Sequence, residues 1–170
     1  TGDFEYKSLI RFSDRALPAG AAALAARSTV IVDLPTIQAG IASHIQKTFA
    51  NPVYCSADAH NWSPKDPTIS WEIETLAKRY PEAIFVVSQG QAVLTALLEL
   101  IEAEEIRPAL VIGTPAGFID VDVAKQRLND SNVPHIRIDG RKGSAVVATA
   151  IINGLVELAW QAYGHDDDEG

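Results

Sequence analysis

Short apolar runs rich in β-branched residues alternate along this chain with segments of helical periodicity. Runs that stay apolar throughout are typical of strands covered on both faces of a sheet. Two parallel strands must be joined by a crossover long enough to hold a helix. The alternation therefore predicts an α/β fold, with a doubly wound, mainly parallel five-stranded sheet and helices on both faces. The five predicted strands are 29–33, 52–56, 83–88, 109–113 and 135–139.

The length of the chain bounds its domain organisation. Its 170 residues fit one domain with one core, and neither an internal repeat nor a long linker is visible. We expect the α/β domain to span residues 1–163, with an early helix that begins after an N-cap at Ser13 and runs to about residue 27. Residues 164–170 are mostly acidic, and we expect them to form a frayed tail.

Charge and cysteine content narrow the partners and the compartment. The net charge of -8 argues against nucleic acid as a partner, because a DNA or RNA binder needs a basic surface. Cys55 is the only cysteine, so an internal disulfide is impossible and a reducing cytoplasm is the simplest setting. No uninterrupted apolar run reaches the roughly 18–20 residues that span a bilayer, and we expect no membrane association.

Two loops stand out at the carboxyl ends of the predicted strands, where doubly wound proteins bind ligands. Residues 113–118 read Gly-Thr-Pro-Ala-Gly-Phe, which favours a tight turn that a ligand can approach closely. An ordinary βα loop explains the same residues equally well. Residues 139–144 read Asp-Gly-Arg-Lys-Gly-Ser and place two cations at a helix N-terminus, where an anion is favoured. A solvated turn is the alternative there.

Common cofactor and metal signatures are absent from the sequence. Neither a G-x-G-x-x-G pattern nor a P-loop pattern occurs, and no cysteines and histidines have the spacing of a zinc site. The sequence therefore supports neither a dinucleotide site, a P-loop nucleotide site nor a zinc site. Among the histidines, His60 is best placed for a functional role because it follows a strand end in a polar loop. Cys55 lies inside a predicted strand, so we expect a buried thiol and not a reactive one.

Several segments, in one register along nearly the whole chain, together match the pattern of a known family. They are Asp3-Phe4-Glu5-Tyr6, Arg11-Phe12-Ser13, residues 19–26, Val32-Asp33, residues 113–118, residues 140–143 and Asn153. In these segments the chain resembles the precorrin-8X methylmutases. The resemblance implies an isomerase of cobalamin biosynthesis that moves a methyl group from C-11 to C-12 of a carboxylated macrocycle. It also implies a homodimer and a reaction without a metal or organic cofactor.

The chain also departs from the pattern of that family. The family uses a histidine as the acid for the methyl shift, and its position falls about two residues ahead of Thr1. Because the chain contains no methionine, we expect that residues precede Thr1. Residues 68–71 read Thr-Ile-Ser-Trp where the family has a T-R-x-A motif, so an arginine is replaced and an indole is added. We assign no catalytic residue within the chain and expect little isomerase activity from it.

The altered and glycine-rich loops converge on the carboxyl edge of the predicted sheet. They predict a ligand site there, and the resemblance implies that the ligand is a tetrapyrrole of the precorrin or corrin type, whose carboxylates Arg141 and Lys142 would suit. Two alternatives stay open: a non-catalytic or redesigned relative that binds a planar carboxylated ligand, and a scaffold that keeps only the fold and its oligomer interface. The residues predicted to line the site are Asp33, Ser88, Gln91, Thr114, Gly117, Arg141 and Lys142.

Overall fold

The structure, a computed structural model, describes residues 1–62 and 68–164, and the side chains of all of these except 60–62. The acidic tail predicted at 164–170 therefore lies outside the described residues, apart from Gly164. The strands are β1 (Ile10–Phe12), β2 (Val30–Val32), β3 (Val53–Cys55), β4 (Ile84–Val87), β5 (Leu110–Gly113) and β6 (His135–Ile138). They form one sheet in the order β1-β6-β5-β4-β2-β3.

All five predicted strands are confirmed, and β2 to β6 pair in parallel with one another. The predicted number of strands is wrong, because β1 adds a sixth strand that pairs antiparallel with β6. This strand is only three residues long and its last two residues are exposed. A strand this short has no periodicity that could reveal it, and its pairing depends on the edge that β6 presents.

Helices cover both faces of the sheet, as predicted. They are α1 (Tyr6–Leu9), α2 (Ala16–Ala25), α3 (Pro35–Gln46), α4 (Ile69–Arg79), α5 (Gln91–Glu102), α6 (Val121–Asp130) and α7 (Ala145–Tyr163), with a 3₁₀ helix (Ser56–Trp62) after β3. Helices α2, α3 and α7 pack on one face, and α4, α5 and α6 pack on the other. Along β2, Val30 and Val32 join the first core while Ile31 joins the second, so the strand is apolar throughout because both of its faces are buried.

The predicted N-cap at Ser13 is wrong. Helix α2 begins at Ala16, and Arg15, which precedes it, makes no side-chain capping bond. The Ser13 hydroxyl instead accepts a hydrogen bond of 2.8 Å from the backbone N–H of His135, and the Ser13 N–H donates to the His135 carbonyl at 2.9 Å. Ser13 therefore continues the pairing of β1 with β6 rather than capping a helix.

Helix α7 is long and apolar enough on average to cross a membrane, although no uninterrupted apolar run in the chain reaches that length. It has 19 residues, and an 18-residue window of it has a mean hydropathy of 1.4, which meets that test by length and composition alone. The expectation counted only uninterrupted apolar runs, whereas Asn153 and Glu157 interrupt this one without making it polar on average. A 33% share of the window is buried inside this chain, where α7 packs against α2 and α3.

Candidate functional site

The carboxyl ends of the parallel strands meet at one edge of the sheet. The chain order reverses between β2 and β4, since β3 lies beyond β2 whereas β5 and β6 lie beyond β4. Such a switch point opens a crevice in which doubly wound proteins bind their ligands. The structure places every predicted site residue on a segment that follows one of these strands: Asp33 after β2, Ser88 and Gln91 after β4, Thr114 and Gly117 after β5, and Arg141 and Lys142 after β6.

Asp33 connects the end of β2 to the turn between β4 and α5. Its side chain is buried, and its Oδ2 accepts hydrogen bonds from the backbone N–H groups of Ser88 at 2.7 Å and Gln89 at 2.6 Å. Burial raises the pKa of Asp33 to about 6, although the bonds from these N–H groups lower it. The other oxygen, Oδ1, is buried and has no hydrogen-bond partner among the described residues. Asp33 therefore holds the β4–α5 turn and leaves one carboxylate oxygen unpaired at the switch point.

The loops that follow β5 and β6, residues 113–118 and 139–144, contact each other and are called the loop pair below. The Thr114 hydroxyl donates to the carbonyl of Ser144 at 3.3 Å. The Ser88 hydroxyl is 3.5 Å from the Thr114 carbonyl, which links the loop pair to the turn that Asp33 holds. Three neighbouring strand ends are thereby connected.

Gly143 determines how closely the two loops approach. A Cβ atom at this position would lie 2.1 Å from the carbonyl oxygen of Thr114 and 2.8 Å from that of Pro115, so no larger residue fits while the backbone stays in place. Beside this contact, the N–H of Gly117 donates to the carbonyl of Arg141 at 3.2 Å. The glycines of the two motifs are therefore explained in part by this contact between the loops.

Lys125, on α6, lies beneath the loop that follows β6. Its side chain is 3% exposed, and its Nζ donates hydrogen bonds to the carbonyls of Gly140 at 2.6 Å and Lys142 at 2.8 Å. Burial lowers the pKa of Lys125 to about 8, while Asp122 and Asp139 act in the opposite direction. The ammonium group therefore remains largely protonated at neutral pH and holds two carbonyls of the loop.

Lys125 is the residue of this region that sequence reasoning missed. A signal for it exists, because the buried positions of α6 are Val121, Ala124, Lys125 and Leu128. They have the i, i+3, i+4, i+7 spacing of a core-facing stripe, and a lysine in such a stripe must reach a buried acceptor.

Lys142, predicted to contact ligand carboxylates, is paired within the chain. Its Nζ donates to Asp3 Oδ2 at 2.7 Å and also contacts Glu5 Oε2, and it lies 5.8 Å from the centre of the Tyr6 ring. The hydrogen bonds that Lys142 donates to the carboxylates of Asp3 and Glu5 raise the pKa of Lys142 above its ordinary value. A ligand carboxylate that binds Lys142 therefore has to compete with the N-terminal segment.

Arg141 and Gln91 differ in how available they are to a ligand. The Arg141 side chain is 62% exposed, with its Nε 3.8 Å from Asp122 Oδ2, and its guanidinium lies 5.9 Å from the centre of the Phe118 ring. Phe118 is itself 85% exposed. Gln91 is half-buried, and its Oε1 accepts a hydrogen bond from Thr95 one turn along α5 at 3.2 Å. Arg141 and Phe118 therefore present a cation and an aromatic ring to solvent, whereas Gln91 bonds within its own helix.

A separate apolar groove of about 630 Å³ lies between α7 and the antiparallel edge of the sheet. We call it the α7 groove. None of the seven predicted site residues lines it. Four of the large apolar residues that line it are more than a third exposed: Phe12, Leu17, Val146 and Leu158. The groove joins parts of the chain that are far apart in sequence, so no local motif could indicate it.

Cysteine and histidine side chains contribute little to this edge of the sheet in the described residues. Cys55 is buried, as predicted, and burial raises the pKa of its thiol. The side chain of His60 lies outside the described residues. His135 is buried with its Nδ1 2.9 Å from the Val133 carbonyl, and burial lowers its pKa. Within the described parts of the chain, no group of three or more His, Cys, Asp or Glu side chains is placed to hold a metal ion.

Known proteins resemble this chain over nearly its whole length. A model of the precorrin-8X methylmutase family matches residues 1–158. The cobalt-precorrin-8 methylmutase of Synechocystis sp. is 34% identical, over 95% of this chain and 81% of its own length. That of Methanocaldococcus jannaschii is 32% identical, over 94% of this chain and 75% of its own.

A solved structure agrees with these sequence matches. The precorrin-8X methyl mutase of Thermus thermophilus superposes with a TM-score of 0.85 at 33% identity, and the match covers 96% of this chain and 81% of that one. Family model, sequence relatives and fold point to the same group of proteins, and we conclude that this chain belongs to the precorrin-8X methylmutase family.

Proposed function

We propose that this chain binds a carboxylated tetrapyrrole of the precorrin or corrin type at the carboxyl edge of its sheet, and that it serves cobalamin biosynthesis in the cytoplasm. The observation that carries the proposal is the loop pair, which is fixed in place beside the exposed guanidinium of Arg141. The names of the relatives supply the substrate class, since they are cobalt-precorrin-8 methylmutases.

The chemistry of this edge suits such a ligand. A guanidinium can bind a carboxylate through two parallel hydrogen bonds, and Arg141 is exposed enough to do so. The Phe118 ring beside it offers an apolar surface to a flat macrocycle. On a protein with a net charge of -8, the exposed guanidinium of Arg141 supplies local attraction for a polycarboxylate.

We further propose an isomerase of the methylmutase class with low turnover in the chain as it stands. The resemblance assigns an arginine to the position of Ile69, which begins α4 and is 46% exposed. Trp71, one of the other departures, packs against the second core. Loss of a cation at the start of α4 would weaken the positioning of a charged substrate, and positioning supplies much of the rate of such reactions.

A homodimer, as the resemblance implies, would cover the α7 groove. The groove combines a volume of about 630 Å³ with exposed apolar side chains, and surfaces of this kind on soluble proteins are typical of interaction sites. Leu158→Glu should produce a monomer in analytical ultracentrifugation. Val123→Glu replaces a comparably exposed side chain outside the groove and should leave the dimer intact. A wild-type protein that sediments as a monomer at micromolar concentration would contradict the dimer.

The binding proposal is tested by titration with hydrogenobyrinic acid and with its methyl ester, followed by absorbance. The acid should bind, and Arg141→Met should weaken its binding about tenfold, the cost of one charge-assisted contact. The matched control is Arg107→Met, because Arg107 is exposed at the opposite edge of the sheet, just before β5. Failure of the wild-type protein to bind the acid, or equal effects of the two substitutions, would refute the proposal.

Turnover is followed separately, by the absorbance change that accompanies conversion of precorrin-8X. We expect a rate far below that of the relative from Synechocystis sp., and an increase when Ile69→Arg restores the cation. Ile69→Gln adds a polar side chain without charge and serves as the control. A wild-type rate equal to that of the relative would overturn the low-turnover part of the proposal.

A further inference from the structure

Lys125 orients two peptide groups of the loop that follows β6. Its Nζ binds the carbonyls of residues 140 and 142 at 2.6 and 2.8 Å. In a trans peptide the N–H points opposite to the C=O, and these two peptides contain the N–H groups of Arg141 and Gly143. Both N–H groups therefore point away from Lys125, and neither donates a hydrogen bond to another described residue.

Packing alone does not account for Lys125. Its position in the buried stripe of α6 suits an apolar side chain, and burying a charge costs free energy unless that charge is well paired. Here its hydrogen-bond partners are two uncharged carbonyls. Gly140 has a φ of +70°, a conformation that glycine adopts readily, so the loop is also built to turn at the residue whose carbonyl Lys125 binds.

We propose that Lys125 is a positioning residue, which holds the N–H groups of Arg141 and Gly143 facing outward, where each can donate a hydrogen bond to a carboxylate of the ligand. This inference rests on the proposed binding of a carboxylated tetrapyrrole. An N–H group that has no partner and lies next to a buried positive charge favours the binding of an anion. Lys125 itself is 3% exposed and acts only through the loop, whereas Arg141 reaches the same edge by its side chain.

The test compares how tightly variants bind hydrogenobyrinic acid and its methyl ester, which lacks the carboxylate charges. Lys125→Met keeps the length of the side chain and removes the charge, and it should weaken binding of hydrogenobyrinic acid at least tenfold while changing binding of the methyl ester less than about twofold. Lys78→Met is the control, because Lys78 is an exposed lysine on α4, and it should alter neither affinity. Equal weakening of acid and ester in Lys125→Met would indicate a purely structural role and overturn the inference.

NMR spectra and a second variant at position 125 test the positioning role further. In ¹H–¹⁵N NMR spectra of the unliganded protein, the amide signals of Arg141 and Gly143 should shift in Lys125→Met and stay unchanged in Lys78→Met. Unchanged signals in Lys125→Met would overturn the positioning role, and this result does not depend on whether the protein binds a ligand. Failure of the wild-type protein to bind a tetrapyrrole would refute the proposed function and not the positioning role. If Lys125→Met does not fold, Lys125→Arg retains a cation and should preserve the preference for acid over ester, and loss of that preference counts against the inference.

Discussion

At the switch point and at the loop pair, a buried charged side chain holds a backbone turn in place, but the two side chains have opposite charges. At the switch point, the buried carboxylate of Asp33 accepts hydrogen bonds from two backbone N–H groups. At the loop pair, the buried ammonium of Lys125 donates to two backbone carbonyls. In both places one side chain fixes a turn at the end of a strand. Burial favours the neutral form of each side chain, so it raises the pKa of Asp33 and lowers the pKa of Lys125. The difference lies in what the backbone then exposes, because Lys125 leaves N–H groups facing outward.

We expect the largest effect from a substitution that disrupts the loop pair and leaves the switch point unchanged. Gly143→Ala places a Cβ 2.1 Å from the Thr114 carbonyl, and a backbone atom cannot move aside as a flexible side chain can. We expect a loss of about 3 kcal/mol in the free energy of unfolding, at the upper end of overpacking effects, measured by urea denaturation. Gly154→Ala is the control, since Gly154 is exposed within α7 and nothing lies near its Cβ position. That control should gain up to about 1 kcal/mol.

The second expected effect tests the switch point through its pH dependence. The pKa of Asp33 is raised to about 6 in the folded protein, so the folded state binds a proton more tightly than the unfolded state. The contribution of Asp33 to stability therefore rises as pH falls from 6 to 4, by about 2 kcal/mol. The free energy of unfolding of wild-type protein relative to Asp33→Asn should increase by that amount over this range. A difference that stays constant or decreases would show that the carboxylate is not buried as described.

The contribution of Lys125 to stability should change with pH in the alkaline range. The pKa of Lys125 is lowered to about 8, so the unfolded state holds its proton more tightly than the folded state. Its contribution to stability therefore rises as pH increases from 8 to 10. We expect a change of the same order as that for Asp33, because burial shifts the two pKa values by similar amounts. Urea denaturation of wild-type protein and Lys125→Met measures it, and a difference that falls with pH would contradict the assignment.

The sheet could be predicted largely from the sequence, and the reason is physical. Strands buried on both faces must be apolar throughout, as at Ile84–Val87 and Leu110–Gly113, and helices long enough to connect them leave a separate periodicity. The exposed strand Ile10–Phe12 carries neither signal. Its place in the sheet depends on the edge strand that it pairs with, which no local pattern records.

The candidate site could be predicted in position but not in its contacts. The position of Asp33 follows from the end of its strand, yet its bonds to the turn 55 residues later depend on the order of strands in the sheet. The pairing of Lys142 with Asp3 spans 139 residues and depends on the course of the N-terminal segment. That the seven residues bind a ligand stays a prediction, which the titrations above test.

The smallest expected effect concerns Lys142, the exposed counterpart of Lys125 at the same loop. Its ion pairs with Asp3 and Glu5 lie at the surface, where solvent and salt screen charges and such pairs add little to stability. Lys142→Met should therefore change Tm by less than about 2 °C, and by still less when the salt concentration is raised to about 0.5 M. Lys125→Met should lower Tm further at both salt concentrations, because its charge is buried and bonded to the backbone. A shift in Tm for Lys142→Met that matches the shift for Lys125→Met would show that the N-terminal segment, and not the buried lysine, holds this loop in place.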